Sequence, residues 1–377
     1  EYTNTSNAFS TGQVNGYHAV GGLVGRNQNQ SSILSSYSNA QVTATDNFAG
    51  GLSGANQLDS RIESSYATGA VQAQSSNSNA GGLSGNNVAN SVIKNSYATG
   101  AVSGRENVGG LLGNNDSSTV ENSYATGQVT RTSGNAMTFG GLVGWYGGTI
   151  KNSYYDKTST GQANAVGDGT GTVTATDITV ANRYSRNGYS NLGTWSLLAG
   201  TTNVYVAKDA SNQNQWVMIE GQTRPFLWSE YSTNINNLHQ LQLMAVDLTK
   251  NYTVHHNIDA TATNGLNTSD MWSTAGFDPI GNNSNRFTGK FDGLNHTISN
   301  LTINRPNQNY VGLFGATNNS TIQNIGLIQA NVIGSWRVGA LIGEANYTNT
   351  SNAFSTGQVN GFRLVGGLVG FNQNQSN

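Results

Sequence analysis

Short extended runs, apolar residues alternating with small polar ones, recur along the chain, each closed by Gly, Asn, Ser or Asp. Around residues 97–122 they read YATGAV (Tyr97 to Val102), VGGLLGN (Val108 to Asn114) and STVEN (Ser118 to Asn122). Runs of this length, rich in Val, Ile, Thr and Tyr and bounded by turn residues, predict strands. No repeat has room for an amphipathic helix of normal length.

The runs repeat on two scales. Gly-Gly-Leu-x-Gly stands at Gly21 to Gly25, Gly50 to Gly54, Gly81 to Gly85, Gly109 to Gly113, Gly140 to Gly144 and Gly366 to Gly370, with variants at Val311 to Gly315 and Gly339 to Gly343. Between these lies a Ser-Tyr-Ala-Thr-Gly signature whose aromatic falls at Phe9, Tyr37, Tyr66, Tyr97, Tyr124 and Tyr154, in steps of 28, 29, 31, 27 and 30 residues. On the longer scale, the sequence from Tyr2 to Gly16 returns unchanged from Tyr347 to Gly361, a period of 345 residues. The chain therefore reads as slightly more than one unit of a tandem array, an excerpt of something longer.

Three short strands in each coil of about 30 residues predict an all-β fold, a parallel β-solenoid (β-helix) whose coils stack about 4.8 Å apart. Equivalent residues then form columns. Leu23, Leu52, Leu83, Leu111 and Leu142 are the expected interior ladder, and Gly51, Gly82, Gly110 and Gly141 the places where the backbone bends or passes too close for a side chain. Tyr37, Tyr66, Tyr97, Tyr124 and Tyr154 should stack up the axis. The Thr-Gly pair interrupts the alternation, so the pattern leaves open which side the rings take. An amide ladder is expected at Asn95, Asn122, Asn152 and Asn324.

Two stretches break the rhythm. No coil signature appears between residues 156 and 230, and NINNLHQLQLMAVDL follows, with Ile235, Leu238, Leu241, Ala245 and Leu248 at helical spacing and only Leu243 out of phase. One short capping helix near 235–246 is predicted. The expected organisation is residues 1–155 as the C-terminal coils of one solenoid unit, 156–230 as a junction, and 231–377 as the cap and N-terminal coils of the next.

Composition narrows the class. With 48 Gly, 17 Lys plus Arg, 19 Asp plus Glu and a net charge of -2, the chain offers no basic stripe for nucleic acid. Low charge alongside 36% hydrophobic residues argues against ordinary disorder. No apolar run is long enough to span a membrane, and with no Cys there are neither disulfides nor thiolate metal sites.

The Gly-Gly-Leu-x-Gly coils with Ser-Tyr-Ala-Thr-Gly resemble the GLUG-motif repeats of bacterial surface proteins. The segment LQLMAVDLTKNYTVHHNIDA, followed by FDPIGNNSNRFTGKFDGLNHTISNLTINRP, resembles the repeat region of filamentous-haemagglutinin-like exoproteins secreted by a partner transporter. Together the two resemblances cover about residues 1–156 and 216–377. It implies a right-handed β-helix, an extracellular or cell-surface location, export through an outer-membrane transporter, and a role in adhesion, biofilm or filament formation. It supplies no catalytic residues.

Candidate chemistry is sparse. His18, His239, His255, His256 and His296 do not form His-Glu-x-x-His, so no metal is assigned. GDGTGTVTATD offers Asp168 and Asp177 as hard oxygen ligands for calcium, yet it lacks a full glycine-aspartate nonapeptide repeat and reads as a Gly-rich loop. Asp59, Glu63, Glu121 and Asp292 fall at different coil positions, which disfavours a polysaccharide-cleaving site. Trp145 and Tyr146 are the candidate glycan-binding face, with Tyr17 and Trp336 as further exposed aromatics. The Asn-x-Ser/Thr triplets at Asn251, Asn295, Asn300 and Asn346 are expected by chance in so Asn-rich a chain. The leading expectation is a structural or adhesive stalk, not an enzyme and without cofactor, whose partners are its own neighbouring units; glycan binding is the alternative.

Overall fold

The computed structural model describes residues 3–132 and 138–376 and shows an all-β parallel solenoid of about 13 turns. Two compact units are present, one of residues 1–194 with 207–216, the other of residues 195–206 with 217–377.

In the first unit the three extended runs are present in the coils up to residue 146, and bends at Thr-Gly and Gly-Leu split two of them; in the last coil Thr149–Tyr155 is one strand and the helix Lys157–Thr160 follows it. Five strand segments result, as in Val92–Lys94, Tyr97–Ala98, Val102–Gly104, Asn107–Gly109 and Leu112–Asp116. Among the described residues the ladders joining these coils are parallel, and register is kept coil after coil. Ser53 lies beside Ser84, Ser84 beside Leu112, and Leu112 beside Val143. A one-residue slip would turn every apolar side chain outward, so the buried columns themselves hold the register.

The interior is built of two apolar columns. One holds Leu52, Leu83, Leu111 and Leu142 with Ile33, Ile62, Ile93, Val120 and Ile150. The other holds Val42, Val71, Val102 and Val129 with Ala49, Ala80 and Val108. Between them the walls of the coil nearly touch. A Cβ added to Gly51, Gly82 or Gly110 would lie 2.9, 2.8 or 2.9 Å from the Cβ of Ala67, Ala98 or Ala125, and nearer still to the carbonyl of the next coil's glycine. These glycines are required for close approach; none has a positive φ. The corner before Ser-Tyr does take the left-handed conformation, at Asn95 (φ 45°), Asn122 (49°) and Asn152 (46°), where a short polar side chain carries the least strain.

The second unit uses longer strands. Lys290–Ser299, Thr321–Ile333 and Asn349–Asn360 pair in parallel, as do Phe314–Asn318, Ile342–Asn346 and Val369–Gln373. Ahead of them a helix at Leu238–Gln242 is N-capped by Asn237, whose side chain accepts from Gln240 N, and it tightens into a 3-10 turn at Leu243–Val246. That tightening explains the out-of-phase Leu243: with three residues per turn it is buried beside Met244 and Val246. Ile235 lies in the short strand Asn234–Ile235, so the helix starts later than its spacing suggests.

Candidate functional site: an outer aromatic column and its clasp

The repeated aromatics stand on the outside of the coil. Successive residues of a strand point to opposite faces, and Ala67, Ala98 and Ala125 belong to the interior, so Tyr66, Tyr97 and Tyr124 beside them face out. The rings stack almost face to face. Phe9 to Tyr37 is 5.2 Å between centroids, Tyr37 to Tyr66 4.9 Å, Tyr66 to Tyr97 5.0 Å and Tyr97 to Tyr124 4.9 Å, with planes within 7° of parallel. Pairing of Tyr124 with Tyr154 in register continues the column.

An outward column of tyrosines would ordinarily be wet, yet this one dries along its length. Phe9 is 46% exposed and Tyr66 4%, while Tyr97 and Tyr124 have no exposure. The cover comes from the non-repetitive sequence. Trp216 packs 6.2 Å from Tyr97 and 5.6 Å from Tyr124, and Tyr189 lies 5.7 Å from both Tyr124 and Tyr154. Asn191 N donates to the Tyr154 hydroxyl at 2.6 Å, and Asn95 Nδ2 donates to Gln215 Oε1. Burial pushes the Tyr154 hydroxyl above its usual pKa.

A buried ion pair fastens this cover. Asp156 has no exposure; its carboxylate accepts from Arg183 Nε at 2.6 Å and Nη2 at 3.1 Å, and it also caps the helix Lys157–Thr160 through Thr158 N and Ser159 N. Tyr189 then donates to the Arg183 carbonyl at 3.1 Å. A carboxylate answered by a two-pronged guanidinium and two backbone amides is well satisfied, which is the condition for burying such a pair.

The amide ladder is real but lies elsewhere than expected. Nδ2 of Asn27, Asn56 and Asn87 donates to Oδ1 of Asn56, Asn87 and Asn115, at 2.7, 2.8 and 2.7 Å, inside the coil. Asn95, Asn122 and Asn152 instead serve the left-handed corner, and the side-chain Oδ1 atoms of Asn95 and Asn122 are buried without a partner. Asn324 does join a rung, accepting from Asn352 at 3.0 Å. The signal for the interior ladder was available, since the first four Gly-Gly-Leu-x-Gly runs are followed two residues on by Asn27, Asn56, Asn87 and Asn115. Asp156, Arg183, Tyr189 and Trp216 carried no repeating signal.

Leu52, Leu83, Leu111 and Leu142 are buried, with Leu23 half-buried at the first coil. Gly141 faces the Tyr155 ring where its counterparts face alanines. Trp145 and Tyr146 are adjacent in the strand Val143–Tyr146 and take opposite sides, Tyr146 packing on the apolar interior. Asp168 and Asp177 line one open cavity of about 600 Å³ with Tyr146, Tyr155 and Asn164. Asp168 Oδ1 accepts from Gly169 N and Asp177 Oδ1 from Lys157 N. Among the described residues no cluster of three or more His, Asp or Glu is arranged to hold a metal. Glu63 pairs with Arg61, Glu121 with Lys94, and Asp292 accepts from Gln323 and Asn324.

The cap of the second unit holds a different polar set. Glu230 accepts from Leu227 N and meets His239 Nδ1 at 2.7 Å; Arg224 donates to the carbonyls of Thr268 and Asp270. Gln242 Oε1 accepts from both Trp272 Nε1 and Asp278 N. Burial outweighs the cations near Asp270 and pushes its carboxyl up to about 6.

Comparison with known proteins agrees with the repeat. The GLUG motif matches residues 16–43 and 104–130. The chain is 33% identical to halomucin of Haloquadratum walsbyi over 175 residues, 45% of this chain and 2% of that protein. It is 43% identical over 53 residues, 14% of this chain and 6% of the relative, to a Gly-rich membrane protein of Evansella cellulosilytica. The chain thus spans a small fraction of either relative. No solved structure matches it.

Proposed function

We propose that this chain is a structural repeat region of a cell-surface or extracellular protein, a stiff spacer that carries other parts of the molecule away from the cell or builds a filament. The carrying observation is the column architecture. Leu, Val, Asn, Gly and Tyr each stack on their own kind through parallel ladders, so the side chains of the coils are spent on neighbouring coils. The stacked rings give their faces to one another, and a sugar ring needs a free aromatic face. The reading assigns no reaction. The GLUG motif and the halomucin relative support a surface repeat; the resemblance of residues 241–306 to filamentous-haemagglutinin-like exoproteins supports an adhesin exported through an outer-membrane transporter.

The test is length. Versions of the parent protein carrying one, two or three 345-residue units, displayed on cells with an epitope beyond the repeats, should place that epitope at distances rising in equal steps by immunogold microscopy. A distance independent of unit number would end the spacer reading. Binding of the isolated chain across a broad glycan array, abolished by Trp145→Ala, would replace it with the glycan-binding alternative.

A further inference from the structure

Residues 1–32 and 346–377 are the same sequence at 26 of 32 positions. The structure shows this one coil from two sides. In the first unit residues 4–28 carry the following coil, with Asn4 beside Ser32 and Val24 beside Ser53. In the second unit their counterparts sit on a preceding coil, with Thr321 beside Asn349 and Ile342 beside Val369. Neither use blocks the other, because a parallel coil offers one set of backbone groups upward and another downward.

We propose that the surface presented by residues 3–28 is the seat of a second copy of this sequence: residues 318–345 of the preceding 345-residue unit stack beneath it in the register seen between residues 318–346 and 346–373. The three-stranded sheet ending at Val369–Gln373 and the six-stranded sheet beginning at Val24–Gln28 then share a strand and become one sheet across the unit boundary.

Side chains agree with the seat. Phe354, the counterpart of Phe9, lies beside Gly326, where an added Cβ would come within 2.5 Å of ring atom Cε1. The half-exposed Phe9 ring therefore has a matching glycine on the preceding copy, and the aromatic column begins there. Among the substituted positions, Phe362 (Tyr17) is 80% exposed, Arg363 (His18) and Leu364 (Ala19) are exposed, and Phe371 (Arg26) is half-buried. None of these four changes the buried columns. Register also puts Arg26 opposite Glu344, a buried carboxylate, and opposite charges facing across strands are favourable.

This inference deepens the spacer reading, and its test is independent of cell-surface length. The chain contains no cysteine, so a two-unit chain, residues 1–345 followed by 1–377, can carry a single engineered pair: Trp336→Cys in the first copy and His18→Cys in the second. Trp336 is the register partner of Arg363, which His18 replaces, and adjacent strands bring Cα atoms about 4.8 Å apart, within disulfide reach. Mild oxidation should close this disulfide as completely as that of the control pair Thr43→Cys with Gln72→Cys, which are register partners inside the first unit. Closure of the control without closure across the boundary would overturn the proposal. The spacer reading would then still stand or fall on epitope distance.

Discussion

The coils of the first unit and the cap of the second achieve burial by opposite means. In the coils, a residue's main neighbour is its own equivalent one rung away, so Leu83 lies between Leu52 and Leu111, and Asn87 between Asn56 and Asn115. In the cap every pairing is particular: Glu230 with His239, Gln242 with Trp272 and Asp278, Arg224 with the carbonyls of Thr268 and Asp270. Columns propagate a rod, and unlike pairs end one. A repeated column adds the same interaction with each rung, as expected when stability is a sum of nearest-neighbour terms, whereas a terminus needs side chains that do not invite a further coil.

The contrast breaks most severely at a glycine. Gly110→Val should cost about 5 kcal/mol or more, because the new side chain meets the Gly141 backbone and Ala125, neither of which can rotate away. Thermal melting followed by circular dichroism should show the first unit lost at a lower temperature and the second unaffected; an unchanged melt contradicts the packing described.

Next comes the clasp. Asp156→Ala strands the Arg183 guanidinium, 7% exposed, without its carboxylate and should cost about 3–5 kcal/mol. Loosening of residues 184–192 should speed trypsin cleavage at Arg183 and change Trp216 fluorescence, while the coils up to Tyr66 stay folded.

The cap responds to pH through Asp270. Its folded value of about 6 lies above the unfolded value near 3.8, so folding takes up a proton between these two. Its contribution is therefore most favourable below about pH 4, falls as pH rises towards 6, and is level beyond. Asp270→Asn should stabilise the second unit by up to about 3 kcal/mol at pH 7 and flatten its melting temperature against pH. A variant that is less stable at pH 7 would show that the carboxylate is needed.

The smallest effect belongs to one rung of the amide ladder. Asn87→Ala removes the acceptor for Asn56 and the donor for Asn115 and should cost about 2 kcal/mol, seen as a shift in the urea midpoint of the first unit.

The same contrast decides how much could be read from the sequence. Columns announce themselves: the spacing of Leu52, Leu83 and Leu111, with glycines beside them, is enough to state a parallel solenoid and to put leucine inside. The side taken by the tyrosines was not readable, because the bend at Thr-Gly resets the alternation, and only the interior place of Ala67 and Ala98 resolves it. Asn95 and Asn122 repeat as regularly as Asn56 and Asn87, but repetition alone does not distinguish a left-handed corner from an amide ladder. Asp156 and Arg183 occur once each, 27 residues apart, and nothing periodic joins them. Long-range contacts between unlike residues are where reading by period runs out.

Coil stacking itself is tested most directly by measuring distance up a single column. Asn15, Thr43, Gln72, Ser103 and Thr130 are successive register partners. Spin labels on Asn15→Cys and Thr130→Cys are therefore four rungs apart and should give a narrow distance near 19 Å by electron paramagnetic resonance, with Asn15→Cys and Gln72→Cys near 10 Å. Distances that fail to grow by about 5 Å with each rung, or a broad spread beyond 30 Å for the longer pair, would contradict the solenoid.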